Sequence, residues 1–341
     1  MRKPVHGRNG ADPMKIPRKK IHFHITEQCG NNCRHCSVDA GPGRNRFLTR
    51  WDLRRIIDWA SMTGASILEI SGGEPLTLGE DLYWTLRYAS DRGLHTSLLT
   101  NGYMLSKKTA ERLRLARVTA VGVSVYGSKP ETHDDFTRTT GSFKAAIDGI
   151  RNAERQGLDT VADIVVTPKN LSELQFLPNL LEEVDVFTFA SIVPSGRGAN
   201  VEGYEFTDKD CEEAIERIEA AFSGRTHYFL NSLYSGQSDE LERYCARPVE
   251  ETVIDPRGRL ISGCLLPHDL QSRGLNLADD DSACATISDD PVSHWLTLGH
   301  GSMRKRLNNP PISHNLCRSC IEMLRLLVAR DYTARNTDSS S

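Results

Sequence analysis

The chain predicts an α/β fold: an open, partial (β/α)6 barrel over residues 20–225, followed by a small C-terminal extension. Two observations predict the barrel. Short, β-branched apolar runs recur six times, and stretches of helical character lie between them. Capping residues stand where those stretches begin. Six β-then-α units in succession imply parallel strands joined by right-handed crossovers.

The elements follow in chain order. The first strand is IHFHIT, residues 21–26. Alternation puts Ile21, Phe23 and Ile25 on a face suited to packing under helices, and His22, His24 and Thr26 on the lumen face. Thr49, with Asp52 three residues on, caps the helix RWDLRRIIDWA. The second strand is ILEISG (67–72), with Glu69 and Ser71 facing inward. The third is HTSLLT (95–100), and Ser106 then caps KKTAERLRLA. The fourth is AVGVSVY (120–126), with Gly122, Ser124 and Tyr126 inward. The fifth is TVADIVVT (160–167), with Asp163 and Thr167 inward, and Asn170 with Glu173 marks the next helix start. The sixth is VFTFASIV (186–193), and Thr207 with Asp210 opens a last helix. A lumen lined this way is polar and suits a hydrophilic substrate.

A chain of 341 residues fits one large or two smaller domains. The net charge of −3 indicates no bulk attraction to nucleic acid or to a membrane surface. No apolar run is long enough to span a bilayer, and the basic N-terminus lacks the apolar core of a secretory signal. A cytoplasmic location is expected. Residues 1–19 read as a flexible arm and 334–341 as a disordered tail. Nine cysteines in a chain of this character argue for metal or catalysis rather than disulfides.

Cys29, Cys33 and Cys36 stand just past the first strand in TEQCGNNCRHCSVDAG. Parallel α/β sheets place their chemistry at that end of the strands. Three thiolates at C-x3-C-x2-C can hold one side of a [4Fe–4S] cluster and leave its fourth iron without a protein ligand, whereas such clusters usually take four. A zinc knuckle completed by His35 is the alternative, although zinc sites favour paired C-x2-C units.

One unit later SGGEP (71–75) ends the second strand. With this pair of motifs, residues 20–225 resemble the radical S-adenosylmethionine (radical SAM) superfamily. The resemblance implies that SAM binds the open iron and is cleaved to methionine and a 5′-deoxyadenosyl radical, which takes hydrogen from an unactivated C–H bond. It implies that Gly72, Gly73 and Glu74 receive the methionine amine, with Pro75 fixing the turn. Asn101, in LLTNGYML, matches the third-strand edge near the cofactor. Ser124 matches the fourth-strand serine that meets the SAM ribose or carboxylate. Arg138, in ETHDDFTRTTGSF, matches the arginine that pairs with the SAM carboxylate. His35 stands where relatives place an aromatic against the adenine.

A second cysteine set follows in residues 226–333: Cys245, Cys264, and the CRSC pair Cys317 and Cys320. EETVIDPRGRLISGC reads as a hairpin turning at DPRG, and CIEMLRLLVARDY as a helix. Four thiolates close either a structural zinc site or a saturated cluster. The layout resembles the Twitch type of radical SAM extension, a shortened form of SPASM, which implies one auxiliary [4Fe–4S] cluster, two in all. PSGRGA (194–199) resembles a loop common in those proteins, from which Arg197 would reach substrate.

The four-cysteine pattern is similar to aminocyclitol dehydrogenases. That resemblance implies oxidation of a carbinol carbon to a ketone in a sugar-like substrate of antibiotic biosynthesis. The auxiliary cluster would take the electron, and a base chosen among Asp163, Glu69 and His24 the proton. A flavodoxin or ferredoxin reductant is implied. Two competitors share the radical. An epimerase would use Cys211 or Cys284 as hydrogen donor. A ribosomal-peptide maturase would need a separate leader-binding partner, because fewer than thirty residues precede Cys29. A zinc-stapled binding module is the non-enzyme alternative.

Overall fold

The computed structural model describes residues 20–62, 65–193, 196–204, 206–223, 228–232, 251–254, 256, 259–262 and 285–286. The six expected strands are present: β1 Lys20–His24, β2 Ile67–Ser71, β3 His95–Thr100, β4 Ala120–Val125, β5 Asp159–Val165 and β6 Val186–Ala190. Each pairs in parallel with the next in chain order. Between them run α1 (Arg50–Met62), α2 (Glu80–Asp91), α3 (Lys107–Leu115), α4 (Pro130–Thr137), α5 (Ser142–Arg155) and the short α6 (Leu177–Leu180). After β6 comes α7 (Asp208–Phe222).

The sheet is wider than the six strands. A further parallel strand, β7 (Tyr228–Ser232), lies beside β6. On the other edge β8 (Glu251–Ile254) pairs in parallel with β1 and antiparallel with β9 (Arg259–Ser262). This is the hairpin expected around DPRG. The two-residue β10 (Ala285–Thr286) completes a ten-stranded order, β10-β9-β8-β1-β2-β3-β4-β5-β6-β7. The YFLNS run of β7 is short and carries two polar residues, so it gave no strand signal in the sequence. Cys245, Cys264, Cys284, Cys317, Cys320, the arm and the tail lie outside the described residues.

Strand alternation sorts the two faces as expected. Ile21, Phe23, Leu68, Ile70, Leu98, Val121, Val123, Ala162, Ile164, Phe187 and Phe189 join one apolar core with the inner faces of the helices. In α5 the buried residues Ala146, Ile147, Ile150 and Ala153 fall at helical spacing. Burying a side chain such as Phe23 contributes about 1.5–3 kcal/mol. The opposite face, carrying His22, His24, Glu69, Ser71 and Asp163, is polar.

The caps divide into two groups. Thr49 and Asp52 bond reciprocally, Ser106 accepts from Thr109 N–H, and Thr207 with Asp210 forms a full capping box. The helix expected from Asn170 is instead a 3-10 turn, Leu171–Phe176, without a side-chain cap. Asn170 is diverted. Its Oδ1 accepts from Thr167 N–H at 2.8 Å, and its Nδ2 donates to the carbonyls of Tyr126 (3.0 Å) and Val165 (2.8 Å). Glu173 accepts from Ser128 N–H at 2.6 Å and from Thr132 rather than closing a capping box. Both side chains stitch the ends of β4 and β5 together, and that tertiary use outcompetes the local cap.

Candidate active site

The cysteine segment is an irregular loop fixed from three sides. At its start, Thr26 bridges to Phe47 and Gln28 to Gly41, so the chain returns on itself around the cysteines. On the second side the SGGEP turn packs against Thr26–Gln28. Gly73 N–H donates to Thr26 O at 2.6 Å, and Glu74 N–H to Gln28 O at 2.7 Å. A Cβ on Gly73 would sit 2.2 Å from Gln28 O, and one on Gly72, at φ 130°, 2.6 Å from Thr26 O. The two glycines are therefore required where one loop backbone lies against the other. On the third side Asn32 N–H donates to Thr137 O and Arg34 N–H to Phe136 O, anchoring the loop to the end of α4.

Glu74 is 1% exposed, and its carboxylate is fully engaged. It accepts from Thr100 Oγ1 (2.8 and 2.9 Å), Asn101 N–H (2.9 Å) and Leu76 N–H (3.1 Å). Burial pushes its pKa up, and these donors pull against that. The side chain thus ties the β2 turn to the end of β3. Pro75 opens the 3-10 turn Pro75–Leu78, where its missing N–H costs nothing.

Asn101 couples that tie to the cysteines, because its Nδ2 donates to Cys29 Sγ at 3.6 Å. Ala40 N–H donates to Cys36 Sγ at 3.3 Å. Burial, reinforced by the charges of the neighbouring thiols, pushes Cys29 up to about 11 and Cys33 up to about 12. At those values Cys29 and Cys33 are neutral thiols near pH 7, and a bound cation would be needed to hold them as thiolates. Among the described residues no three His, Cys, Asp or Glu side chains converge on a single metal ion. A cubane, which takes its thiolates on separate irons, fits the C-x3-C-x2-C donor set better than one zinc, whose sites favour paired C-x2-C units. N–H donors aimed at the sulfurs suit it as well.

His35 lies within an aromatic group: it stacks on Phe136 (4.5 Å, 13°) and meets Tyr126 edge-on (4.8 Å). Burial, with Arg197 nearby, pushes it down to about 3, so it is neutral. Its Nδ1 is buried without a hydrogen-bond partner among the described residues. Arg138 follows α4 in a left-handed conformation (φ 52°), exposed and without a salt bridge among the described residues. Ser124 lies level with Asp163 on the adjoining strand. Arg197 points at the cysteine loop, donating to Cys33 O and Ala40 O. A pocket of about 320 Å³ opens at the ends of β4 and β5, and its lining includes the charged Glu131, Asp135 and Lys169 beside Tyr126, Phe136 and Tyr204. None of the sequence signals pointed to Lys169, Asp135 or Tyr204, which the fold brings together from three separate segments.

The lumen holds the three expected acid–base residues in different electrostatic settings. Asp163 is pushed up to about 6 by burial, against the pull of a hydrogen bond from Thr188. Glu69 is lowered: burial would raise it, but His22 and Lys20 more than offset that, Lys20 Nζ lying 3.0 Å away. His24 is held well below its usual range by burial and by His22, whose ring lies edge-on at 4.8 Å. One carboxyl is thus paired and ionised, while the other titrates near neutrality. Cys211 lies on α7, in the helical layer.

The model of the Radical SAM superfamily matches residues 23–178. An AdoMet-dependent heme synthase of Methanosarcina barkeri is 32% identical over 226 residues, 61% of this chain and 62% of that protein. A mycofactocin maturase, MftC, of Mycobacterium tuberculosis is 26% identical over 266 residues, 75% of this chain and 67% of that one. The chain spans 51–62% of the length of the heme and Fe-coproporphyrin III synthases it matches. These relatives are not the aminocyclitol dehydrogenases that the cysteine layout suggested. The crystal structure of Streptococcus suis SuiB bound to S-adenosylmethionine superposes with a TM-score of 0.59 at 17% identity, covering 73% of this chain and 60% of that one. The chain has the radical SAM fold, and residues 23–178 are the part that resembles the superfamily in sequence.

Proposed function

We propose that this chain is a radical SAM oxidoreductase that oxidises a carbinol carbon of a polar, sugar-like substrate held in the barrel lumen. Cys29, Cys33 and Cys36 would hold a [4Fe–4S] cluster. Gly72, Gly73 and the Glu74 backbone would receive the SAM amine, and Arg138 and Ser124 its carboxylate end. Bound there, cluster and SAM supply a 5′-deoxyadenosyl radical when an electron arrives from a flavodoxin or ferredoxin.

The observation that carries the reading is the lumen itself. A carbinol that loses its hydrogen atom becomes a ketyl radical with an acidic hydroxyl. Asp163, buried and titrating near neutrality, is suited to take that proton, because a base works best with its pKa near the working pH. Glu69, ionised and paired with Lys20, orients rather than transfers. Cys245, Cys264, Cys317 and Cys320 would hold an iron–sulfur acceptor for the remaining electron, so that a ketone is left. Hydrogen atom, proton and electron are then all accounted for.

A second reading is favoured by one observation. The likeness to the mycofactocin maturase extends over 75% of the chain, further than that to the heme synthase. The lumen would then receive a peptide side chain, delivered by a leader-binding partner. Anaerobic reconstitution with SAM and dithionite, against panels of aminocyclitols and candidate precursor peptides, separates the two. A two-hydrogen mass loss on an aminocyclitol supports the first. Turnover of a peptide alone replaces it with the second. Solvent deuterium retained at carbon, without mass loss, would instead indicate epimerisation.

A further inference from the structure

We propose that Arg197 is a positioning residue for the iron–sulfur cluster, clamping the cysteine loop from the segment that follows β6. The inference rests on the radical SAM reading and adds to it a residue from outside the cysteine motif.

The clamp consists of four hydrogen bonds spanning some 160 residues of sequence. Arg197 N–H donates to Cys36 O at 2.9 Å. Its side chain donates from Nε to Cys33 O at 2.8 Å, from Nη1 to Asp39 Oδ1 at 2.7 Å, and from Nη2 to Ala40 O at 2.6 Å. Two of these acceptors are the carbonyls of cysteines themselves. The guanidinium is thus directed at the loop backbone rather than at the lumen. Its planar fork reaches three acceptors that a lysine ammonium could not reach together.

The backbone around Arg197 is shaped to the same contact. A Cβ on Gly196 would lie 2.5 Å from Cys36 O, and one on Gly198 2.4 Å from Val193 O and 2.9 Å from His35 O. Gly196 also takes a positive φ of 55°. On the loop side, Asp39 adopts a left-handed φ of 51°, so the chain bends where the clamp grips it. Gly–Arg–Gly is therefore the complement of one particular conformation of residues 33–40. Cys33 and Cys36 must hold their spacing whether or not a ligand pulls on the cluster, and the local C-x2-C turn supplies only one backbone bond, 3.4 Å long, between them. Bonds that orient metal ligands from outside typically change metal affinity by about 10–100-fold when removed.

The test uses the full chain, reconstituted anaerobically, as wild type, Arg197→Ala, Arg197→Lys and Asp39→Asn. Iron loss to a chelator is followed in each, and the loss shown by a Cys29→Ala/Cys33→Ala/Cys36→Ala protein is subtracted to remove iron held elsewhere. The EPR spectrum of the reduced cluster is recorded with and without SAM. We expect Arg197→Ala to lose the cluster about 10–100-fold faster and to show an altered SAM-induced spectral change. Arg197→Lys keeps the charge but loses the fork, and should behave close to Arg197→Ala. Asp39→Asn should lie between wild type and Arg197→Ala. Wild-type loss rates and spectra in both Arg197 variants would overturn the proposal. If Arg197→Ala does not fold, wild-type behaviour of Arg197→Lys and Asp39→Asn overturns it equally. A wild-type protein that takes up no cluster on its three N-terminal cysteines would instead sink the radical SAM reading, and this inference with it.

Discussion

Replacing Asp163 with asparagine separates the electrostatics of the lumen from its packing. The two side chains share a shape, and the asparagine Oδ1 can still accept from Thr188. What disappears is the ionisable group. Burial raises Asp163 from 3.8 to about 6. The folded state therefore holds the proton more tightly than the unfolded chain does. For a raised carboxyl the sign is unfavourable: the group costs nothing below pH 3.8, and its cost grows as pH rises through about 6. Two units at 1.36 kcal/mol each make the full cost roughly 3 kcal/mol. Asp163→Asn should thus be more stable than wild type, by about 1–2 kcal/mol at pH 5 and about 3 kcal/mol at pH 8. Urea denaturation of the anaerobic proteins at several pH values measures this. The same variant should lose oxidation of substrate yet still release 5′-deoxyadenosine, because proton removal follows hydrogen abstraction. A stability difference that is flat with pH, or a variant that oxidises substrate at the wild-type rate, would refute the reasoning.

Three further outcomes follow from the site. Gly73→Ala, whose Cβ would sit 2.2 Å from Gln28 O, should destabilise the fold by about 3 kcal/mol or more and lower cluster content, read by thermal melting and iron analysis. Glu74→Gln places an amide NH2 among donors that need an acceptor, and should cost about 2–3 kcal/mol and weaken SAM binding measured by calorimetry. Thr207→Ala removes the capping box of α7, far from the cysteines. It should cost about 1 kcal/mol in denaturant without changing iron content, which makes it a control for the other two.

The fold was legible wherever one physical signal dominated. β-branched runs with period two gave β1–β6, and the alternation sorted Ile21, Phe23 and Ile25 from His22 and His24 because the sheet has one apolar and one polar face. Local chemistry gave the caps at Thr49, Ser106 and Thr207. Asn170 and Glu173 carried the same local signal, yet they serve contacts more than 40 residues away in sequence, at Tyr126 and Ser128. Sequence proximity holds no trace of that. Strand β7 was missed because YFLNS is short and two of its five residues are polar.

Within the site, the cysteine spacing and the GGEP turn were readable because each is local. Their partnership was not. The glycines were expected to admit a cofactor, and the structure shows them first admitting the backbone of Thr26–Gln28. The Glu74 carboxylate accepts from Thr100 Oγ1 and from the N–H groups of Asn101 and Leu76, contacts that the motif did not reveal. Arg197 was expected to reach substrate, and its guanidinium grips Cys33, Asp39 and Ala40. In each case the residue was legible but its direction was set by a segment distant in sequence.

The most direct measurement is the release of 5′-deoxyadenosine and methionine from SAM by the reduced, reconstituted protein. The account predicts both products in equal amounts from wild type and neither from Cys29→Ala. SAM left intact by a wild-type protein that carries its cluster, or cleaved equally well after Cys29 is removed, would contradict it.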